Sequence, residues 1–368
     1  MVAEPIRSEP LPAEQVREFL RRAVRAGVTP RALGYRMPAE WAPHRATWLS
    51  WPHKEQSWPG LFRGIPELWA ELVKALIAAD ERVCILAGGE SVFSEAKALV
   101  GDLPHCHLYP IPTDDAWIRD SGPIFLSHPD PQMPPALVDW RFNAWGGKYP
   151  PYDQDNAIPL HIARVTGRRR FEVPIVLEGG AVDVNGLGTG IVARGCLLAP
   201  SRNPGLTEDD LAAFLREYLA IEHIIWIEGM LEGDDTDGHV DQLARFVNPR
   251  TVVVATEEDS SDPNYEVLQN LKRLLSSACD QDGRPLELVP LPMPRPIFIQ
   301  GQRVPASYVN FYIANRAVIL PAFDDPADGL AAETLARLFP DREVVPLPAR
   351  QLVWGLGAFH CITQQEPV

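Results

Sequence analysis

Three stretches of the chain concentrate residue types that can do chemistry. The first is Gly355-Leu356-Gly357-Ala358-Phe359-His360-Cys361-Ile362-Thr363-Gln364-Gln365, close to the C-terminus. Glycines let a backbone approach a ligand closely, and Cys361 after them is a candidate nucleophile. A lone cysteine is more commonly a small buried hydrophobe, and tails are usually frayed. A motif this particular in a tail therefore predicts a tail tied into a site. The other two stretches tip the balance toward chemistry: Asp114-Asp115-Ala116-Trp117-Ile118-Arg119-Asp120-Ser121-Gly122-Pro123 and Gly233-Asp234-Asp235-Thr236-Asp237-Gly238-His239-Val240-Asp241. Both load carboxylates into turn-rich segments. After the Asp237-Gly238 turn the residues alternate as a strand would, which predicts that His239 and Asp241, two apart, share a face.

A cysteine triad needs one histidine and one orienting acid and gains nothing from surplus carboxylates. Extra negative charge also opposes thiolate formation. The surplus is explained if the substrate is a cation. A guanidinium is planar, carries five donors and no acceptor, and pairs with carboxylates in a fork. Two acids holding its edges would leave the central carbon open to sulfur, and its charge would favour the thiolate on binding.

With those residues in view, the chain resembles the agmatine deiminase family, which also includes bacterial-type peptidylarginine deiminases within the guanidine-modifying pentein superfamily. The resemblance runs from about Gly34 to the end. It rests on Gly34-Tyr35-Arg36-Met37-Pro38-Ala39-Glu40-Trp41, Trp117 to Pro123, Phe142-Asn143-Ala144-Trp145-Gly146-Gly147-Lys148, and Leu177-Glu178-Gly179-Gly180. Further markers are Ser201-Arg202-Asn203-Pro204, Asp237 to Asp241, Ala306-Ser307-Tyr308-Val309-Asn310-Phe311-Tyr312 and His360 to Gln365.

The resemblance implies Cys361 as nucleophile, His239 as general acid/base, and Asp120 and Asp241 as guanidinium clamps. It implies Trp117, Trp145 and Glu178 as walls of the substrate pocket. Apart from the resemblance, Asp115 is a candidate contact for the substrate's distant amine, with turn-capping, the commoner use of aspartate, as the alternative. The implied reaction is agmatine plus water to N-carbamoylputrescine plus ammonia, through a covalent amidino-cysteine, with no metal or organic cofactor. Deimination of arginine or peptidylarginine, amidino transfer to an amine, and non-catalytic binding of a cationic metabolite are the alternatives. One departure stands out: relatives typically read Gly-Gly-Gly-Asn-Ile before His-Cys, where this chain has Gly355-Leu356-Gly357-Ala358-Phe359.

Several elements must position these residues. Apolar β-branched runs predict strands at Arg82–Leu86, Thr251–Ala255 and Ala317–Leu320. Helical spacing of apolar residues predicts helices at Pro66–Ala79, Thr207–Leu219, Tyr265–Ala278 and Ala327–Phe339. Periodicity alone yields a mixed α/β chain; the resemblance implies an α/β propeller of five ββαβ-type units around a central site. No linker or low-complexity tract divides the chain, so residues 34–368 are expected to form a single domain. Residues 1–33 form an N-terminal extension, with a surface helix from about Pro12 to Ala26 stopped by Gly27.

The 368 residues carry a formal charge of −15. That makes nucleic acid an improbable partner and suits a small cationic guanidine; self-association is compatible with the sequence. Five scattered cysteines argue for a reducing cytoplasm rather than a disulfide framework. No apolar run reaches the roughly 18 residues of a membrane span, and Met1 to Pro10 lack the apolar core of a secretory signal. His105-Cys106-His107 lacks zinc-type spacing and reads as a strand. Gly186-Leu187-Gly188-Thr189-Gly190 misplaces the third glycine of a dinucleotide loop and reads as a hairpin turn.

Overall fold

The computed structural model describes residues 10–368; the reading of residues 1–9 lies outside them. Apolar runs such as Thr251–Thr256 are buried throughout, as a strand covered on both faces requires. Each such run seats in a small sheet. Among the described residues four sheets have three strands and one has four, and one pattern recurs in all five. A short strand runs antiparallel to a middle strand, a helix crosses over, and a further strand returns parallel to the middle one.

Ile124–Leu126, Ala136–Arg141 and Arg169–Val176 form one such unit, with helix Ile158–Thr166 between the last two strands. Val182–Val184, Thr189–Ala193 and His223–Ile227 form the next, bridged by helix Glu208–Leu219. Ala244–Phe246, Thr251–Thr256 and Glu287–Pro292 follow, with helix Asn264–Ser276. Tyr312–Ile313, Ala317–Ala322 and Glu343–Pro348 come after, with helix Ala327–Leu338. The remaining unit joins the two ends of the chain. Gln364–Pro367 pairs antiparallel with His44–Ser50, which pairs parallel with Val83–Leu86 and onward to Cys106–Tyr109. The fold is an α/β propeller of five such units.

The helices begin and end where local chemistry dictates. Thr207 caps Glu208–Leu219 by accepting from the Asp210 backbone N–H while Asp210 accepts from that of Thr207, a reciprocal capping box. Gly27, left-handed at φ 65°, ends helix Ala13–Ala26. That helix lies against the second unit described above: Phe19 stacks on Phe214 with ring centroids 6.5 Å apart, and Arg17 reaches Asp210 at 2.9 Å. His105-Cys106-His107 enters a strand and Gly186–Gly188 turns a hairpin.

One local expectation fails. His239 and Asp241 do not lie on a strand: Val240–Gln242 is a 3-10 turn, and the strand begins only at Ala244. Asp237 and Gly238 both take positive φ. The chain therefore leaves the turn coiled, with the Leu243 N–H closing onto the Val240 carbonyl at 2.9 Å. No helix among the described residues is long and apolar enough to cross a membrane.

The tail strand is fastened by a buried acid. Glu366 accepts from Trp48 Nε1 at 3.0 Å and from Arg168 at 2.8 and 3.1 Å. Removing one partner of a buried ion pair costs about 3–5 kcal/mol, whereas the Arg22–Glu18 pair lies on the exposed face of the N-terminal helix, where solvent screens it. Urea unfolding of Glu366→Ala should show a loss of roughly 3 kcal/mol, and Arg22→Ala almost none.

Candidate active site

The same position in each unit feeds one centre. Just before the first strand of every unit the chain makes a tight turn, and each turn carries a polar residue inward. Asp120 sits in Ile118–Ser121, ahead of Ile124; Glu178 and Gly180 stand ahead of Val182. His239 and Asp241 precede Ala244, Asn310 precedes Tyr312, and Cys361 precedes Gln364. All seven positions are buried.

Asn310 organises the nucleophile. Its side-chain oxygen accepts from the backbone N–H of Ala358 at 3.1 Å, His360 at 3.2 Å and Cys361 at 3.4 Å. Its amide nitrogen donates to Cys361 Sγ at 3.1 Å. Glycines beside it are set by space. A Cβ on Gly357 would lie 2.6 Å from the Trp117 ring and 3.1 Å from Cys361 Sγ; one on Gly355 would lie 2.8 Å from both Trp58 and Trp117.

The acids and histidine meet around Gly180. A Cβ there would stand 2.5 Å from His239 Nδ1, 2.9 Å from Asp120 Oδ1 and 3.1 Å from Asp241 Oδ2. Only hydrogen fits. Asp120 accepts from the Gly180 N–H at 2.9 Å and from Trp145 Nε1 at 3.0 Å, so Trp145 both aims the carboxylate and walls the pocket. Asp241 Oδ2 bonds His360 Nδ1 at 2.7 Å and lies 3.5 Å from Cys361 Sγ. Asp241 Oδ1 and His239 Nδ1 are buried without a hydrogen-bond partner among the described residues.

Glu178, expected as a pocket wall, is instead fully buried behind the histidine. It faces His239 Nε2 at 3.0 Å, accepts from Cys196 Sγ at 2.9 Å and pairs with Arg202 at 3.0 Å. Glu178, Cys196 and His239 bring three donor atoms within 4.8 Å of one another. The Arg202 guanidinium, 3.0 Å from Glu178, already places a positive charge on this trio.

Electrostatics follow from this packing. Burial pushes the Cys361 thiol well above its ordinary pKa, and the nearby Asp241 and Asp120 charges push the same way. Burial also raises Asp120 to about 6, against the pull of His239. For His239 burial alone would lower the pKa, but Asp120, Cys196 and Glu178 outweigh it and hold the imidazolium well above the usual range. Burial likewise opposes the Glu178 and Asp241 carboxylates. His239 and Arg202 nevertheless take Glu178 down to about 2, and His360 takes Asp241 below its normal value.

A cavity of about 280 Å³ opens onto Cys361 and Asp120 between Trp117, Trp145 and Leu356. Asp115 lies at its rim, where it accepts from Ser57 Oγ at 2.6 Å and pairs with Lys54 at 3.2 Å. Asp235, bonded by the Tyr149 hydroxyl, lines the same cavity. Asp114 turns away to cap Gln154 and Asp155, and Arg119 braces Gln365 and the His360 carbonyl. Sequence reasoning thus named the groups that converge but gave no role to Asn310, Cys196, Arg202, Glu40 or Gly180. Four of these five lie inside quoted motifs, so the signal was present; their partners, distant in sequence, were not.

Gly180→Ala tests this convergence. The added methyl must displace His239, Asp120 or Asp241, and misplacing reacting groups by about 1 Å costs on the order of a hundredfold in rate. Steady-state kinetics should show that loss with circular dichroism unchanged.

Comparisons with known proteins identify the chain's family. The Porphyromonas-type peptidyl-arginine deiminase family matches residues 36–367. An agmatine deiminase of Pseudomonas aeruginosa is 40% identical over 362 residues, spanning 92% of this chain and 97% of that protein. The solved agmatine deiminase of Enterococcus faecalis superimposes with a TM-score of 0.86 at 32% identity, covering 92% of this chain and 97% of the other. An amidinotransferase from Microseira wollei, 13% identical with a TM-score of 0.54 over 90% of this chain and 96% of its own, shares the fold alone. The chain belongs to the Porphyromonas-type peptidyl-arginine deiminase family.

Proposed function

We propose that the protein hydrolyses agmatine to N-carbamoylputrescine and ammonia, with Cys361 as nucleophile, His239 as acid and base, and Asp120 and Asp241 as clamps. One observation carries the reading: a buried thiol stands 3.5 Å from a buried carboxylate whose other oxygen has no hydrogen-bond partner among the described residues, with a second buried carboxylate close by. Such a pair of acceptors suits the donor-only edges of a guanidinium. The agmatine deiminases among its relatives supply the substrate.

The steps follow from the charges. In the free site the thiol is held protonated by burial and by the acids. The docking guanidinium offsets those acids, and the thiol proton passes to solvent. Sγ then bonds the guanidinium carbon. His239, facing the site through Nδ1, gives its proton to a terminal nitrogen; the C–N bond breaks and ammonia leaves. The neutral imidazole takes a proton from water, whose oxygen bonds the amidino carbon. As the C–S bond breaks, the adduct's hydroxyl becomes the product carbonyl and its proton passes by way of solvent to the departing thiolate, which frees the neutral carbamoyl product and restores the resting thiol. Glu178 and Arg202 fix the imidazole from behind.

At the far end, the substrate's ammonium faces Asp115 and Asp235, while Trp117 and Trp145 flank its alkyl chain. Lys54 offsets Asp115 at 3.2 Å, so Asp235 gives the rim its net negative charge, which welcomes a bare ammonium and repels an arginine carboxylate. Residues 34–368 constitute the catalytic unit in this reading and residues 1–33 an accessory extension. Five cysteines without a disulfide fit a reducing cytoplasm.

Ammonia release from agmatine, arginine and a peptidylarginine tests the reading: release from agmatine should predominate and vanish in Cys361→Ala. Release from none, with folded protein, would overturn it. The pH dependence is also set. Asp120 must be ionised to hold the cation, and its folded pKa is about 6, so kcat/KM should fall as pH drops through about 6. Asp120→Asn should remove that acid limb and lower kcat/KM by roughly a hundredfold or more.

A further inference from the structure

Around Cys361 the use of glycine is inverted. Gly355 and Gly357 have φ values any residue accepts, and they are glycine because Trp58, Trp117 and Cys361 leave no room for a Cβ. Leu356, between them, is the residue whose backbone favours glycine. It ends the 3-10 turn Leu352–Gly355 at φ 71°, ψ 11°, in the left-handed region. Bulky side chains seldom occupy that region, and strain retained beside a site is a pointer to function.

The fold holds the strained backbone firmly. The Leu356 N–H donates to the Val353 carbonyl at 2.9 Å, and its own carbonyl accepts from Gln242 at 3.3 Å. Half-buried, its side chain lines the cavity that leads to Cys361, on the stretch of wall running from Trp354 to Gly357. Leu356 also packs against the hydrophobic core, and a glycine here would take its side chain out of the cavity wall.

We infer that Leu356 is a specificity determinant: its side chain restricts the neck above Cys361 to guanidines on an unbranched chain and turns away those whose chain carries a further substituent. The inference rests on the deiminase reading and deepens it. The selection it describes is steric, separate from the charge selection at Asp115 and Asp235. Peptidyl and acylated arginines fall on the excluded side and agmatine on the admitted side.

The test compares agmatine with Nα-acetylarginine amide, which carries the same guanidinium on a branched chain without a carboxylate, so charge repulsion does not enter. Wild type, Leu356→Ala and Leu356→Gly are assayed for ammonia release, with Tm recorded for each. In Leu356→Gly, kcat/KM for the blocked arginine should rise roughly tenfold or more, while the KM for agmatine rises several-fold through lost apolar contact. The preference for agmatine should thus fall by roughly thirtyfold or more, with Leu356→Ala between. Tm should stay within about 2 °C of wild type.

An unchanged preference overturns the inference, as does a wild type that already accepts both substrates equally. A Tm lowered by more than about 6 °C would make the leucine a packing residue and overturn it too. Wild type that releases ammonia from neither compound refutes the deiminase reading itself, an outcome distinct from active enzyme with unmoved selectivity.

Discussion

Burying carboxylates around a thiol is the constraint on which the rest of this structure depends. An isolated buried charge costs several kcal/mol, yet Glu40, Asp120, Glu178, Asp183 and Asp241 all lie out of solvent within one centre. Cations behind them offset that cost. Arg245 reaches Asp183 at 2.9 Å and Glu40 at 2.8 Å, and its guanidinium lies over the Phe311 ring. Arg202 holds Glu178, and His360 bridges Asp241 and Glu40 at 2.7 and 2.8 Å. Much of the neutralisation therefore comes from the rear. At the front the His239 imidazolium faces both Asp120 and Asp241, which leaves the two carboxylates short of positive charge, the condition a cationic substrate meets.

The same network joins the ends of the chain. Glu40, in the segment before the first strand, binds His360 and the Ile313 N–H; Arg119 braces the His360 carbonyl and Gln365. With Gln364–Pro367 paired to His44–Ser50, the nucleophile is held between a strand and an ionic cluster. A tail is thereby given the rigidity that a reactive cysteine needs. Balanced charge, sheet closure and nucleophile placement are one arrangement here.

Much of this was legible in the sequence because local signals carried it. The apolar run Thr251–Ala255 and the helical spacing over Tyr265–Ala278, where the helix spans Asn264–Ser276, are read from neighbours in the chain. The surplus of acids near Cys361 and His239 pointed to a cation before any geometry was known. Other features depend on contacts that sequence order hides. The coil after Gly238 masked its 3-10 turn behind an alternating pattern. The resemblance alone made Glu178 a pocket wall, whereas Arg202 and Cys196 draw it behind His239. Periodicity gave only a mixed α/β chain, since the five units share a topology and one inward-facing turn but no repeated residues.

The central claim is that the acids keep the thiol protonated until a cation arrives. Alkylation of Cys361 at neutral pH by 2-chloroacetamidine, a planar cation, measured against neutral 2-chloroacetamide, tests it most directly; Cys361→Ala serves as background and a free thiol as reference. The account predicts that the protein favours the cationic reagent far beyond the ratio shown by the free thiol, and that the neutral reagent reacts slowly until well above pH 9, because burial and the acids hold the thiol above its ordinary pKa. A ratio equal to that of the free thiol, with rapid neutral alkylation at pH 7, would mean a thiolate already formed and would contradict it.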